Sequence, residues 1–284
     1  MITVLYFLSY ILIIALPLII GVWLHRTRKA SWRLFFIGAV TFIASQVLHI
    51  PFNWLVLQQW QLIPTDTAVP INLIILAIFL GLSSGFFEEG ARYLTYRFWA
   101  KDARTWGRGM MLGDGHGGIE AIVVAVIAAI NIGALALMRG GLIPVPVPPE
   151  QMGLLEAQYA AVFDVPLYNA FLPLIERVLA ICLHLALSLM VMQVFTRRRS
   201  IWLLAAILWH ALANAMVVIA VTTWGVWASE GLLAVFALIS LGIIYWLKEP
   251  EPQEPDIDPL PLPLAGEDTQ AAVTLDMLER SRYT

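Results

Sequence analysis

Long apolar runs broken by short polar segments, every second one rich in Arg and Lys, set the pattern of this chain. A helix that crosses about 30 Å of hydrocarbon needs roughly 20 mostly apolar residues. Seven stretches meet that length: 3–24, 34–58, 70–99, 109–138, 171–196, 201–224 and 230–247. The pattern predicts an all-α, polytopic transmembrane helix bundle of about seven spans, occupying residues 1–248.

Composition adds that almost nothing is left for a soluble domain. The chain is 60% hydrophobic and 13% charged, with a mean hydropathy of +0.79, outside the range of water-soluble domains of this length. Much of the acid behind the net charge of −3 lies in a Pro-rich tail, 249–284, with Glu249, Glu251, Asp256 and Asp258, which is expected to be disordered. The single cysteine, Cys182, excludes a disulfide framework and a Cys-based zinc site.

Lys and Arg mark cytoplasmic loops. They cluster at Arg26, Arg28, Lys29 and Arg33, at Arg97, Lys101, Arg104 and Arg108, at Arg197 to Arg199, and at Lys248, whereas the segments 59–69, 139–170 and 225–230 contain only Arg139. The N-terminus is therefore expected outside and the tail in the cytoplasm, in an integral protein of the cell membrane. The first apolar run has its basic residues after it, the reverse of a secretory signal peptide, and reads as a retained helix. In 139–170, four prolines precede Glu150 to Phe163, which reads either as a short amphipathic helix on the membrane surface or as a lid.

Ionisable residues inside spans cost roughly 2.5–3.5 kcal/mol each on insertion scales, so they normally face a protein interior or a watery cavity. Counting inward from the basic boundaries at about 1.5 Å per residue, Glu88, Glu89, His116, Glu120, His184 and His210 reach nearly the same depth from four different spans. Independent packing accidents would scatter more widely.

Arg92 follows Glu88 by four residues and Glu89 by three, so on a helix it can pair with either carboxylate. The unpaired one would suit a general base; the bland alternative is a structural Glu–Arg clamp. His116 and Glu120 share one helix face with Gly117 and Gly118 between them, which suits a site or close helix packing. His210 and Asn214 repeat the spacing and can address one water, one metal ion or one oxyanion, or simply each other's helices. His184 is a further candidate on shared depth. His49 and Asn53, beside Pro51, are expected to support the structure or form an outer gate. Glu176 with Arg177 reads as an interfacial ion pair or part of an entrance.

The ordered set Glu88-Glu89-x-x-Arg92, His116-x-x-x-Glu120 and His210-x-x-x-Asn214 resembles the CAAX-processing and bacteriocin-processing (CPBP) superfamily of intramembrane proteases. Within it the chain looks most like the YhfC-type membrane peptidases. The resemblance covers about 80–215. It departs at the second motif, where His116 stands at the usual Phe position, and at the first, where the pair-to-Arg spacing is short. It implies that Glu88 or Glu89 is a general base activating water. It further implies that His210 and Asn214 stabilise the oxyanion, that Arg92 fixes the carboxylates, and that His116, Glu120 and His184 complete a polar cavity. The expected partners are a peptide or membrane-protein substrate and the lipid bilayer, not nucleic acid.

In that glutamic version no cofactor is required. A metal version places zinc among His116, His184 and His210 with a Glu ligand, the three-ligand-plus-water pattern of catalytic zinc. A proton- or metal-coupled transporter would also gather His and Glu in mid-membrane, though with internal repeats that are not found here. A non-catalytic peptide-binding scaffold is the third alternative.

Overall fold

The computed structural model describes residues 1–145 and 147–249. The acidic tail expected beyond Glu249 lies outside the described residues. Among the described residues there are eight α-helices and no strand: α1 (Ile2–Arg28), α2 (Trp32–Trp54), α3 (Pro70–Leu94), α4 (Trp106–Arg139), α5 (Met152–Phe163), α6 (Leu172–Thr196), α7 (Ile201–Thr223) and α8 (Val226–Trp246). Seven of them, all but α5, are long and apolar enough to cross a membrane. Two gain a π-helical last turn, Leu55–Gln59 after α2 and Thr95–Trp99 after α3.

The environment is written on the outer surface. Ile11, Phe36, Val47, Ile78, Phe86, Ile130 and Leu238 point outward and exposed, where hydrocarbon and not water receives them. Trp60, Trp224 and Trp227 lie exposed at one end of the bundle and Trp99 and Trp246 at the other, the arrangement of interfacial aromatic belts. The protein is an integral, multi-pass membrane protein. The Arg and Lys clusters at 26–33, 97–108 and 197–199 and at Lys248 share one end of the bundle, the basic end below; the turns 60–69 and 224–225 and the segment containing α5 mark the far end.

The most extensive seams run between α3 and α7, α2 and α4, α1 and α4, and α4 and α6. Lipid gives no hydrophobic drive for one helix to seek another, so close van der Waals approach between small residues does that work. Two glycines define the α4–α6 seam. A Cβ added at Gly117 would stand 2.7 Å from His184 Cβ, and one added at Gly113 would stand 2.7 Å from Ser188 Cβ. The thin face of α4 is therefore what brings α6, and His184 with it, against His116. α6 is the most enclosed of the seven spans.

The start of the last span differs from the sequence reading. The last span starts at Val226 and not at 230, because Gly225, with φ 86°, turns the chain within two residues of the end of α7. Glu230 thus lies a turn inside the helix, buried, and not at its first residue. As the span 34–58 predicts, the chain continues helically through Pro51 to Gln59. Between the fourth and fifth spans, α5 forms a short helix with only Leu155 buried. It is tied down by Arg139 to Asp164 (2.8 Å) and by the Tyr6 hydroxyl donating to Val162 O (3.3 Å).

Candidate active site

α3, α4, α6 and α7 converge on a cluster of charged and imidazole side chains in the middle of the bundle. Glu88, Glu89, Arg92, His116, His184 and His210 are all buried, with Glu89, Arg92 and His116 wholly so. Glu88 and Glu89, adjacent on α3, point to different partners because successive helical positions are rotated by about 100°.

Glu89 meets Arg92, one turn along, and accepts a hydrogen bond from His210 Nδ1 at 2.8 Å. A second Arg92 nitrogen, Nη2, donates to His184 Nδ1 at 2.7 Å. Arginine has only N–H groups to offer, so Nδ1 of His184 accepts, and the proton of the neutral ring sits on Nε2. That nitrogen lies 2.7 Å from Glu120 Oε2. Arg177 Nη1 then donates to Glu120 Oε1 at 3.0 Å, and Arg177 closes the series on Glu176. Seven side chains, from Glu176 through Arg177, Glu120, His184, Arg92 and Glu89 to His210, therefore form one continuous chain of opposite or hydrogen-bonded partners.

Glu88 stands beside this chain. Its Oε2 lies 3.2 Å from His116 Nε2, and its Oε1 accepts from Gln46 Nε2 at 3.2 Å. The His116 and His184 rings are 5.6 Å apart, as are those of His184 and His210, so three imidazoles line one wall. Glu88, His116 and His184 each offer a ligand atom, and those atoms lie within 4.8 Å of one another. His210, which completed the zinc set read from sequence, gives its Nδ1 to Glu89 and keeps a lone pair on Nε2.

Toward the basic end the site is closed. One turn below Arg92 and His184, the Tyr96 hydroxyl meets Ser188 Oγ at 2.8 Å, and Ser188 donates to Gly109 O at 2.9 Å, with both side chains buried. Toward the far end, by contrast, the polar chain continues to Glu176, whose side chain is 44% exposed.

The remaining candidates fall outside this ring of contacts. Asn214, one turn beyond His210 and half-buried, makes no hydrogen bond among the described residues. His49 joins the site only through Gln46: its Nδ1 is 3.2 Å from Gln46 Oε1, while its Nε2 contacts Ser83 Oγ and Asn53 Nδ2. Sequence reasoning missed Gln46, a neutral residue without a motif, and underweighted Arg177. It also missed Asp114, wholly buried on α4 with neither carboxylate oxygen hydrogen-bonded among the described residues. Asp114 lies on the side of α4 that faces Gly21 of α1, away from the cluster. A groove of about 530 Å³ lies between α2 and α3 on the lipid side and is lined by apolar residues with Thr41, Ser45 and Thr95, so it is not the seat of the chemistry.

Residues 12–241 match the family described as YhfC intramembrane metalloprotease. The chain belongs to that family. It is also 33% identical over 235 residues to the uncharacterized membrane protein YhfC of Bacillus subtilis (strain 168), an alignment that covers 82% of this chain and 90% of the relative. No solved structure matches. Membership makes the protein a membrane protease by family, and the donor set can be tested against the metal the family name implies. Glu88, Glu89, Glu120 and Glu176 bring four carboxylates against the two guanidiniums of Arg92 and Arg177. With all four ionised, two negative charges would be left over, which one divalent cation would balance. His116 Nδ1 and Glu89 Oε2 are buried without a hydrogen bond among the described residues. Imidazole and carboxylate donors suit zinc, and the residues fit if the metal replaces Arg92 at His184 Nδ1.

Proposed function

We propose that this protein hydrolyses a peptide bond inside the membrane, at the cluster of Glu88, Glu89, His116, Glu120, His184 and His210. The observation that carries this reading is the convergence of Glu88, His116 and His184, with donor atoms within 4.8 Å of one another, next to a Glu89–His210 pair in the interior of a membrane bundle. Glu88, His116 and His184 would hold a divalent metal. When bound, it supplies Lewis acidity toward the scissile carbonyl and acidifies water. Around it, Glu120 holds Nε2 of His184, the outer support that metal-ligating histidines ordinarily have, and Nδ1 would reach the metal in place of the Arg92 guanidinium.

The Glu89–His210 pair handles the proton. Arg92 pairs with Glu89, Glu89 holds the proton on His210 Nδ1, and His210 Nε2 is left to take a proton from the attacking water and pass it to the leaving amine. The Asn214 amide, one turn further along α7, serves as donor to the oxyanion. The basic end lies in the cytoplasm, as the charge rule requires.

A metal-free glutamic reaction is the second reading. It is favoured by the way both oxygens of Glu88 are held, one by Gln46 and the other by His116, as a general base would be. Both readings are tested by incubating the purified protein with a library of peptides that include transmembrane segments and reading cleavage by mass spectrometry. Glu89→Gln and His210→Asn are expected to lower turnover by about 10²–10⁴-fold, the usual worth of a general base. Cleavage of equal rate in both variants would remove the pair from the mechanism. A transporter would instead show cation flux in liposomes and no cut peptide.

A further inference from the structure

The site is sealed toward the basic end and buried on its flanks, yet the reaction proposed for it consumes water. Among the described residues, the charged contacts that leave the cluster run toward the far end, through Glu120 and Arg177 to Glu176. A second polar branch, Gln46 to His49 and Asn53, reaches the same face but carries no carboxylate. Side-chain exposure rises along the charged branch, from 5% at His184 to 20% at Glu120 and 44% at Glu176. Arg177 lies across it, 12% exposed, with one end of its guanidinium on Glu120 and the other on Glu176.

A third carboxylate stands beside this bridge. Glu230 of α8, 8% exposed, has its Oε2 buried with no hydrogen bond among the described residues. α8 packs extensively on α6, which bears Arg177. An unsatisfied carboxylate on the neighbouring helix offers the guanidinium a second place to rest.

The geometry points to an acidic passage for water and cations from the far face to the buried site, between α4, α6 and α8, with Arg177 as its gate. Bridging Glu120 and Glu176, Arg177 closes the passage; moved onto Glu230, it opens the passage and leaves Glu120 to the incoming ion or water. Glu120 and Glu176 supply the negative lining that draws a cation inward, and the Tyr96–Ser188–Gly109 contacts explain why the opposite direction is shut. The inference rests on the hydrolytic reading only in that the site must receive water.

Thiol accessibility tests it without any need for catalysis. Ala180 lies on α6 between Arg177 and His184, one turn from each and on their face, and is buried. In a Cys182→Ala background, Ala180→Cys in oriented membrane vesicles is exposed to a charged, membrane-impermeant methanethiosulfonate added to one face at a time. Labelling is expected from the far face only. Arg177→Ala is expected to speed it by about tenfold or more, Arg177→Lys to change it little, and Glu230→Gln, which keeps the shape but removes the second resting place, to slow it. Should Arg177→Ala fail to fold, Glu230→Gln still decides. Labelling from the basic face, labelling at one rate in all variants, or none in any of them, overturns the passage. If labelling obeys the gate while no peptide is ever cut, the passage stands and the hydrolytic reading falls.

Discussion

Arg92 touches both halves of the polar cluster, Glu89 on its own helix and His184 on α6, from a position with no exposed surface. Removing one partner of a buried pair leaves an uncompensated charge, at a cost of about 3–5 kcal/mol, whereas removing both is far milder. Arg92→Met is therefore expected to lower the thermal midpoint in detergent strongly, and Glu89→Gln added to Arg92→Met to recover most of the loss. Additive losses in the double variant would mean that Arg92 acts through packing and not through Glu89. Glu120 works differently, as the outer partner of a candidate metal ligand. Glu120→Gln is expected to weaken zinc binding by about 10–100-fold while the other donors stay in place. Competition with a chromophoric chelator measures it, and unchanged affinity would remove His184 from the donor set.

At the scale of elements, the α4–α6 seam decides where the histidines meet. Gly117 lies against His184 Cβ, so Gly117→Val must push α6 outward; overpacking of this kind costs about 1–3 kcal/mol. The expected result is a folded but less stable protein with weaker zinc binding. Full zinc affinity in Gly117→Val would show that the seam does not set the site. This scale also shows what the sequence made legible. Span number, the shared depth of the ionisable residues and the i, i+4 pairs follow from helical periodicity, which the sequence displays directly. The choice of partner does not: Arg92 had two glutamates in reach, and only the rotation of α3 against α6 and α7 assigns Glu89 to it and leaves Glu88 to His116. Gln46 and Glu230 were invisible for a related reason. One is neutral, and the other stood at the boundary of the last span until Gly225 placed it a turn inside α8.

Across the whole molecule, an odd number of spans with every basic cluster at one end gives a polarised bundle whose reactive centre is closed toward that end. If the basic end is cytoplasmic, a fluorescent protein fused after the tail folds and glows in the cytoplasm, whereas a periplasmically active phosphatase fused in its place stays inactive. The reverse result would invert the bundle and place the far-face passage on the cytosolic side. The central claim, a membrane peptidase whose donors Glu88, His116 and His184 hold a metal, is tested most directly by one titration of peptide cleavage. Turnover is followed as a chelator is added in excess and zinc is then returned. Loss of cleavage with the chelator and its return near one zinc per chain is the predicted result; cleavage that continues unchanged in excess chelator would contradict the metal and leave the glutamic reaction in its place.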